Sequence, residues 1–178
     1  MIHQVIIAGF GGQGVLSTGM LLTHAGMLEG RQVTFLPSYG AEQRGGTANC
    51  SVVISDTVIH SPLVSQASAL VALNGPSLRA FAGKLAPGGL LLLNSSLVAD
   101  NAERTDLEVL GVPASQIAEE LGEARVANMV LLGAFLARTK AVGLEAVMES
   151  LKEVLPARRH NLLPVNRQAL ERGEALVG

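Results

Sequence analysis

A six-residue run, Gly9-Phe10-Gly11-Gly12-Gln13-Gly14, constrains this chain more than any other feature in it. It ends a short apolar stretch, His3 to Ala8, that has the pattern of a buried parallel strand. It precedes a helical pattern, Val15, Leu16, Gly19, Met20, Leu22, Thr23, Ala25 and Met27, that runs to about Glu29. Gly30 then stands where a helix C-terminal cap belongs. Gly9, Gly11 and Gly14 satisfy G-x-G-x-x-G between a strand and a helix, where absent Cβ atoms allow a tight turn and the approach of an anion to the helix N-terminus. A dinucleotide site also needs an acid at the end of the second strand. That strand, Gln32 to Leu36, closes a βαβ unit and leads into Leu36-Pro37-Ser38, with Glu29 on its wrong side. Three readings stay open on these residues: an NAD or FAD site, an anion or phosphate contact without a dinucleotide, and a tight crossover that packs helix on sheet.

The rest of the chain extends an α/β pattern. Pro37 to Gly46 is rich in glycine and proline and reads as irregular. From Thr47, Ala48, Cys50, Val52 and Ile54 share one face and Asn49, Ser51 and Ser55 the other. Ser55-Asp56 then reads as a turn into Thr57 to His60, a hairpin that makes the sheet mixed. Ala69 to Leu73 and Leu90 to Leu93 read as buried strands. The first leads through Asn74-Gly75 into a helix opened by Pro76, and Gly88-Gly89 introduces the second. Leu107 to Leu110 reads as an edge strand before a helix begun at Pro113. Helices follow at about Arg125 to Lys140, Leu144 to Leu155 and Asn166 to Ala175. With no internal repeat or low-complexity linker, residues 1–178 are expected to form one domain. The expected architecture is a three-layer α/β/α sandwich on a mixed, mostly parallel sheet, with a helical C-terminal third.

Composition narrows the function. Thirteen Lys and Arg against fifteen Asp and Glu give a net charge of −2, with no basic run to meet a nucleic acid. One cysteine excludes a disulfide framework, a cysteine zinc cluster and a self-contained iron–sulfur site. The longest apolar stretch, Val126 to Ala137, contains Asn128 and is too short to span a bilayer. The Met1-Ile2-His3-Gln4 start lacks the basic flank of a secretory signal, so a soluble, cytoplasmic protein is expected. Charged residues make up 16%, against about 25% in an ordinary soluble domain. Mean hydropathy is +0.38. So little charge points to a subunit that covers part of its surface with partners, the alternative being merely an Ala/Leu/Gly-rich core.

A second loop, Ser38-Tyr39-Gly40-Ala41-Glu42-Gln43-Arg44-Gly45-Gly46, begins at the sheet edge where open α/β folds bind ligands, and it holds the only tyrosine. Arg44 before Gly45 and Gly46 lets a guanidinium and nearby backbone N–H groups converge on a carboxylate or phosphate. The bland alternative is a solvated turn with Arg44 paired to Glu42. Elsewhere the signals are structural. Cys50 falls on an apolar strand face, and His24 and His60 lack a Ser or Cys partner. Arg158-Arg159-His160 reads as a solvated cap, and Asn128 must find a hydrogen-bond partner inside its apolar helix. No metal-ligand spacing and no complete catalytic apparatus emerges in this chain alone.

The two loops together resemble the γ subunit, or γ domain, of the 2-oxoacid:ferredoxin oxidoreductases, whose signature is GxGGQG after the first strand and YGxxxRGG after the second. Here these read Gly9 to Gly14 and Tyr39 to Gly46. The resemblance continues through Thr47-Ala48-Asn49-Cys50, Ile54-Ser55-Asp56, Ile59 to Pro62, Asn94-Ser95-Ser96, Ala127-Asn128-Met129 and Asn166-Arg167-Gln168-Ala169-Leu170. Pro37-Ser38-Tyr39-Gly40 looks most like the branch acting on 2-oxoglutarate or branched-chain 2-oxoacids. Gln43 departs from it, since that branch often has Met there. The resemblance implies a multi-subunit enzyme that converts a 2-oxoacid and coenzyme A to acyl-CoA and CO2 while reducing ferredoxin. Thiamine diphosphate and iron–sulfur clusters would sit in α and β partner chains, with a ferredoxin-like subunit as a further candidate, and this chain would bind no cofactor alone. Tyr39, Gly40, Glu42, Arg44, Gly45 and Gly46 would lie near the inter-subunit active site, and Arg44 would meet the substrate carboxylate or a CoA phosphate. Gly9, Gly11, Gly12, Gln13 and Gly14 would support them from below. The isolated chain would be inactive and prone to self-association. The rival readings are a stand-alone nucleotide-binding module and a purely structural assembly subunit.

Overall fold

The computed structural model describes residues 1–39, 46–99 and 103–178, with the side chain of Tyr39 left aside. Six strands, β1 (Ile2–Phe10), β2 (Gln32–Tyr39), β3 (Thr47–Ser55), β4 (Ala67–Ala72), β5 (Leu85–Asn94) and β6 (Glu108–Val112), form one sheet in the order β2-β3-β1-β4-β5-β6. The helices are α1 (Val15–Leu28), α2 (Gly75–Phe81), α3 (Ala114–Glu120), α4 (Ala127–Thr139), α5 (Leu144–Val154) and α6 (Leu163–Ala175). The pairs β1–β4, β4–β5 and β5–β6 are parallel, and β3 is antiparallel to both β1 and β2. The sheet is therefore mixed, as expected, and all five remaining strands point the same way.

The central strands read as continuous apolar runs because both faces are covered. Val5 and Ile7 join Cys50, Val52, Ile54, Val71 and Leu92 in a core under α1 and α3 to α6. Ile6 and Ala8 join Val53, Leu70, Leu91 and Leu93 on the other face, packed by Leu78 of α2 and by Val64. Among the described residues the sandwich is uneven, with five helices on one side and one short helix on the other. Among the described residues, no helix is long and apolar enough to cross a membrane.

Three local expectations need correction. Thr57 to His60 forms no strand, because β3 already has a neighbour on each edge and no pairing groups remain for a hairpin. The antiparallel partner of β3 on its outer side is β2, so β1 and β2 are parallel but separated by a strand. Next, Pro37 is not irregular. The second strand continues through Tyr39, with Pro37 opposite Cys50. An edge strand tolerates proline because the absent N–H can face away from its partner. Lastly, Gly88 and Gly89 lie inside β5, where the register with β4 shifts between Ala67 and Ala69.

Cys50 is fully buried, and its thiol donates to the Val15 carbonyl at 3.6 Å. Burial pushes its pKa up to about 12. The unfolded thiol ionises near pH 8.5. Above about pH 9 the unfolded chain therefore binds fewer protons than the folded one, and stability falls as pH rises, by at most about 1.4 kcal/mol per unit from this group. A thiol-specific dye at pH 8 should leave native protein unlabelled and react fully after denaturation. Rapid labelling of the native chain would contradict this burial.

Candidate functional site

The C-terminal ends of β1, β2, β4, β5 and β6 meet at one sheet edge, which the start of β3 completes. Glycine loop and second loop both leave from it. The β1–β3 register places Gly9 opposite Ala48 and Phe10 opposite Thr47. One step further, the Gly11 N–H donates to the Gly46 carbonyl at 3.0 Å. The two loops are thus joined at their bases. Tyr39 ends β2 opposite Ala48. Gly40, Glu42, Arg44 and Gly45 lie outside the described residues.

Gln13 does not point out to a ligand. Its Oε1 accepts from the Phe10 N–H at 2.7 Å and from Asn74 Nδ2 at 3.0 Å. Asn74 in turn caps α2, its Oδ1 accepting from the Ser77 N–H at 2.8 Å. The glycine loop is tied in this way to the end of β4. In the sequence Asn74 is marked only as an N-cap, by Asn-Gly-Pro ahead of a helix, and its bond to Gln13 appears only in the fold. Gln13→Ala would leave two partly buried donors without an acceptor, a cost of about 1–3 kcal/mol. The expected result is a melting temperature lower by several degrees, with most of it regained in Gln13→Glu. An unchanged melting temperature would show that the tie carries no weight.

Gly14 is held from the other side. Its φ is 80°, a left-handed value that suits glycine. A Cβ there would stand 2.6 Å from Asn128 Nδ2. The Gly14 carbonyl accepts from Thr18 Oγ1 at 2.7 Å, and Thr18 Oγ1 accepts from Asn128 Nδ2 at 2.9 Å. Asn128 therefore finds its partner within this chain, and α4 is fastened to the first turn of α1.

A dinucleotide reading loses its second support here. In a doubly wound fold the ribose acid ends a strand adjacent to the glycine-loop strand. Here β3 stands between β1 and β2, which moves the end of β2 out by a further strand spacing of about 4.8 Å. The remaining sequence candidates take structural places. His24 bonds Ser150 Oγ at 3.0 Å and approaches Glu153 at 3.3 Å, linking α1 to α5. His160 bonds the Leu155 carbonyl, and His60 is exposed. No group of three His, Cys, Asp or Glu that could hold a metal occurs among the described residues. Cys50, buried and donating to a backbone carbonyl, is not placed to ligate a cluster.

The family model for pyruvate ferredoxin/flavodoxin oxidoreductase matches residues 4–176. The chain belongs to this family. Among oxidoreductase-family relatives, the ketoisovalerate oxidoreductase subunit VorA of Methanothermobacter marburgensis is 42% identical over 96% of this chain. The chain spans only 35% of that relative's length. The 2-oxoglutarate synthase subunit KorC of the same organism is 37% identical, with 88% of each chain covered. The γ subunit of a keto/oxoacid ferredoxin oxidoreductase from Geobacter sulfurreducens superposes with a TM-score of 0.85 at 29% identity, over 98% of both chains. The 2-oxoglutarate:ferredoxin oxidoreductase of Magnetococcus marinus superposes with a TM-score of 0.91 at 25% identity, over 31% of its chain. Both solved structures share the α/β fold described above.

Proposed function

We propose that this chain is the γ subunit, or γ domain, of a thiamine-diphosphate-dependent 2-oxoacid:ferredoxin oxidoreductase. The assembled enzyme would convert a 2-oxoacid and coenzyme A to acyl-CoA and CO2, passing two electrons to ferredoxin. 2-Oxoglutarate or a branched-chain 2-oxoacid is the substrate class. The observation that carries this reading is the pair of family loops at the carboxyl edge of the sheet, joined through Gly11 and Gly46, in a chain matched to the family over residues 4–176. The names of the relatives, one acting on ketoisovalerate and one on 2-oxoglutarate, support that substrate class.

Thiamine diphosphate, held by partner α and β chains, supplies the electron sink for decarboxylation. This chain's part is positional. Gly9, Gly11, Gly12, Gln13 and Gly14 form the base, fixed by Asn74 on one side and Asn128 on the other. Upon it the second loop presents Tyr39, Gly40, Glu42, Arg44, Gly45 and Gly46 to the cleft between subunits. Arg44 supplies the fixed positive charge for a substrate carboxylate or a CoA phosphate. Anaerobic affinity purification of the tagged chain from its host tests the subunit role. Partner chains carrying thiamine and iron should elute with it. A chain that elutes alone and binds a nucleotide would replace this reading with the nucleotide-module one.

A further inference from the structure

β1 and β4 are parallel neighbours whose chains leave the carboxyl edge in opposite directions. α1 follows β1 onto one face of the sheet, and α2 follows β4 onto the other. Open α/β sheets hold their ligands at such a divergence, and here one side chain spans it. Asn74, 4% exposed, stands just beyond the end of β4. Its Oδ1 accepts from the Ser77 N–H, a group that can only donate, which fixes the amide's orientation. Its Nδ2 therefore faces Gln13 Oε1, at 3.0 Å. That oxygen has two lone pairs, and the Phe10 N–H takes the other at 2.7 Å. It is seated so closely that a Cβ on Gly9 would lie 2.8 Å from it.

The consequence falls on one peptide unit. Gln13 grips Phe10 twice, its side chain on the Phe10 N–H and its own N–H on the Phe10 carbonyl at 3.2 Å. That carbonyl belongs to the peptide whose other end, the Gly11 N–H, donates to Gly46 at 3.0 Å. A planar peptide cannot turn one end without the other. The angle at which Gly46 is held therefore follows from Gln13, and Gln13 from Asn74. We propose that Asn74 is a positioning residue for the 2-oxoacid and coenzyme A. Through Gln13 it sets where the second loop rejoins the glycine loop. The proposal rests on the subunit reading above, in which those loops serve the ligands. Asn94 provides the comparison. It ends β5 much as Asn74 follows β4, and it is 2% exposed. Its Oδ1 accepts from the Ser96 and Ala114 N–H groups, and its Nδ2 donates to Ser115 Oγ. These bonds fasten β5 to α3 and lead away from the glycine loop.

Asn74→Asp in the assembled enzyme separates the two halves of this amide. Aspartate caps a helix as well as asparagine does, so the Ser77 N–H keeps its acceptor. The arm toward Gln13 turns from donor to acceptor, and the tie is lost. The Michaelis constant for the 2-oxoacid or for coenzyme A should rise roughly 3- to 10-fold, as expected for one lost neutral hydrogen bond. Turnover should stay within about twofold. Asn74→Thr, which keeps a capping oxygen and has no arm, should show the same split. Asn94→Ala, which strips the acceptor from two N–H groups, should lower the melting temperature and leave both constants at their wild-type values. Unchanged constants in both Asn74 variants overturn the proposal, as does an equal rise in Asn94→Ala. So does failure of both Asn74 variants to assemble, which would make Asn74 a support of the fold alone. A wild-type complex that oxidises no 2-oxoacid would instead sink the subunit reading, and the proposal with it.

Discussion

Gly133→Ala and Gly173→Ala should each destabilise the protein by about 3 kcal/mol or more, at the upper end of what overpacking costs. α4 and α6 touch backbone to backbone. A Cβ on Gly133 would lie well inside van der Waals contact of the Leu170 carbonyl oxygen, and one on Gly173 would do the same to the Val130 carbonyl oxygen. Val130 faces Gly173 and Gly133 faces Leu170, so the helices run antiparallel with each glycine on the other's main chain. The clash is with backbone, and no rotamer change relieves it. Three kcal/mol in a chain of this size lowers the melting temperature by about 6–12 °C. The double variant should cost much less than the sum, because helices already pushed apart have room for the second methyl. Denaturant unfolding of the two single variants and the double variant checks both statements. Strict additivity would mean that the two contacts are independent. The damage should reach the site, since α4 carries Asn128 onto Gly14.

Arg44→Ala in the assembled enzyme should raise a Michaelis constant, for the 2-oxoacid or for coenzyme A, by roughly 10- to 100-fold. That range follows from losing a charge-assisted hydrogen bond of about 1.5–3 kcal/mol. Turnover should fall less, because the chemistry belongs to the cofactor. Arg44→Lys should recover part of the loss, since it keeps the charge and gives up the planar fork. The identity of the affected constant names the ligand. If both constants stay unchanged, Arg44 has no ligand role. If instead the complex falls apart, the loop makes only an interface, and the assembly-subunit reading takes its place.

Much of the fold was legible in the residues. Apolar runs bounded by glycine marked β1, β4 and β5, and Pro76 and Pro113 marked the starts of α2 and α3. Strand neighbours were not legible. Alternation along Thr47–Ser55 defined the two faces of β3 and said nothing of what lay on its edges. The pairing fell to the wrong partner because a short local turn looked sufficient. Pro37 misled for a related reason, since its cost in a strand depends on whether that strand is at an edge. Glycine in a helix reads locally only as poor propensity. The meaning of Gly133 appears once Leu170 is laid against it. The loops of the candidate site were recognisable by their glycines. Gln13 as a strut to Asn74, and Asn128 as a fastening on the first turn of α1, depend on contacts between residues 61 positions apart in one case and 110 in the other.

The most direct test is CoA-dependent oxidation of 2-oxoacids by the purified complex, assayed anaerobically with and without this chain. With the chain present, 2-oxoglutarate or a branched-chain 2-oxoacid should drive acceptor reduction only when coenzyme A is added. Omission of the chain should abolish that activity, and its return should restore it. Equal activity without the chain, or a complex that oxidises no 2-oxoacid, would contradict the proposed role.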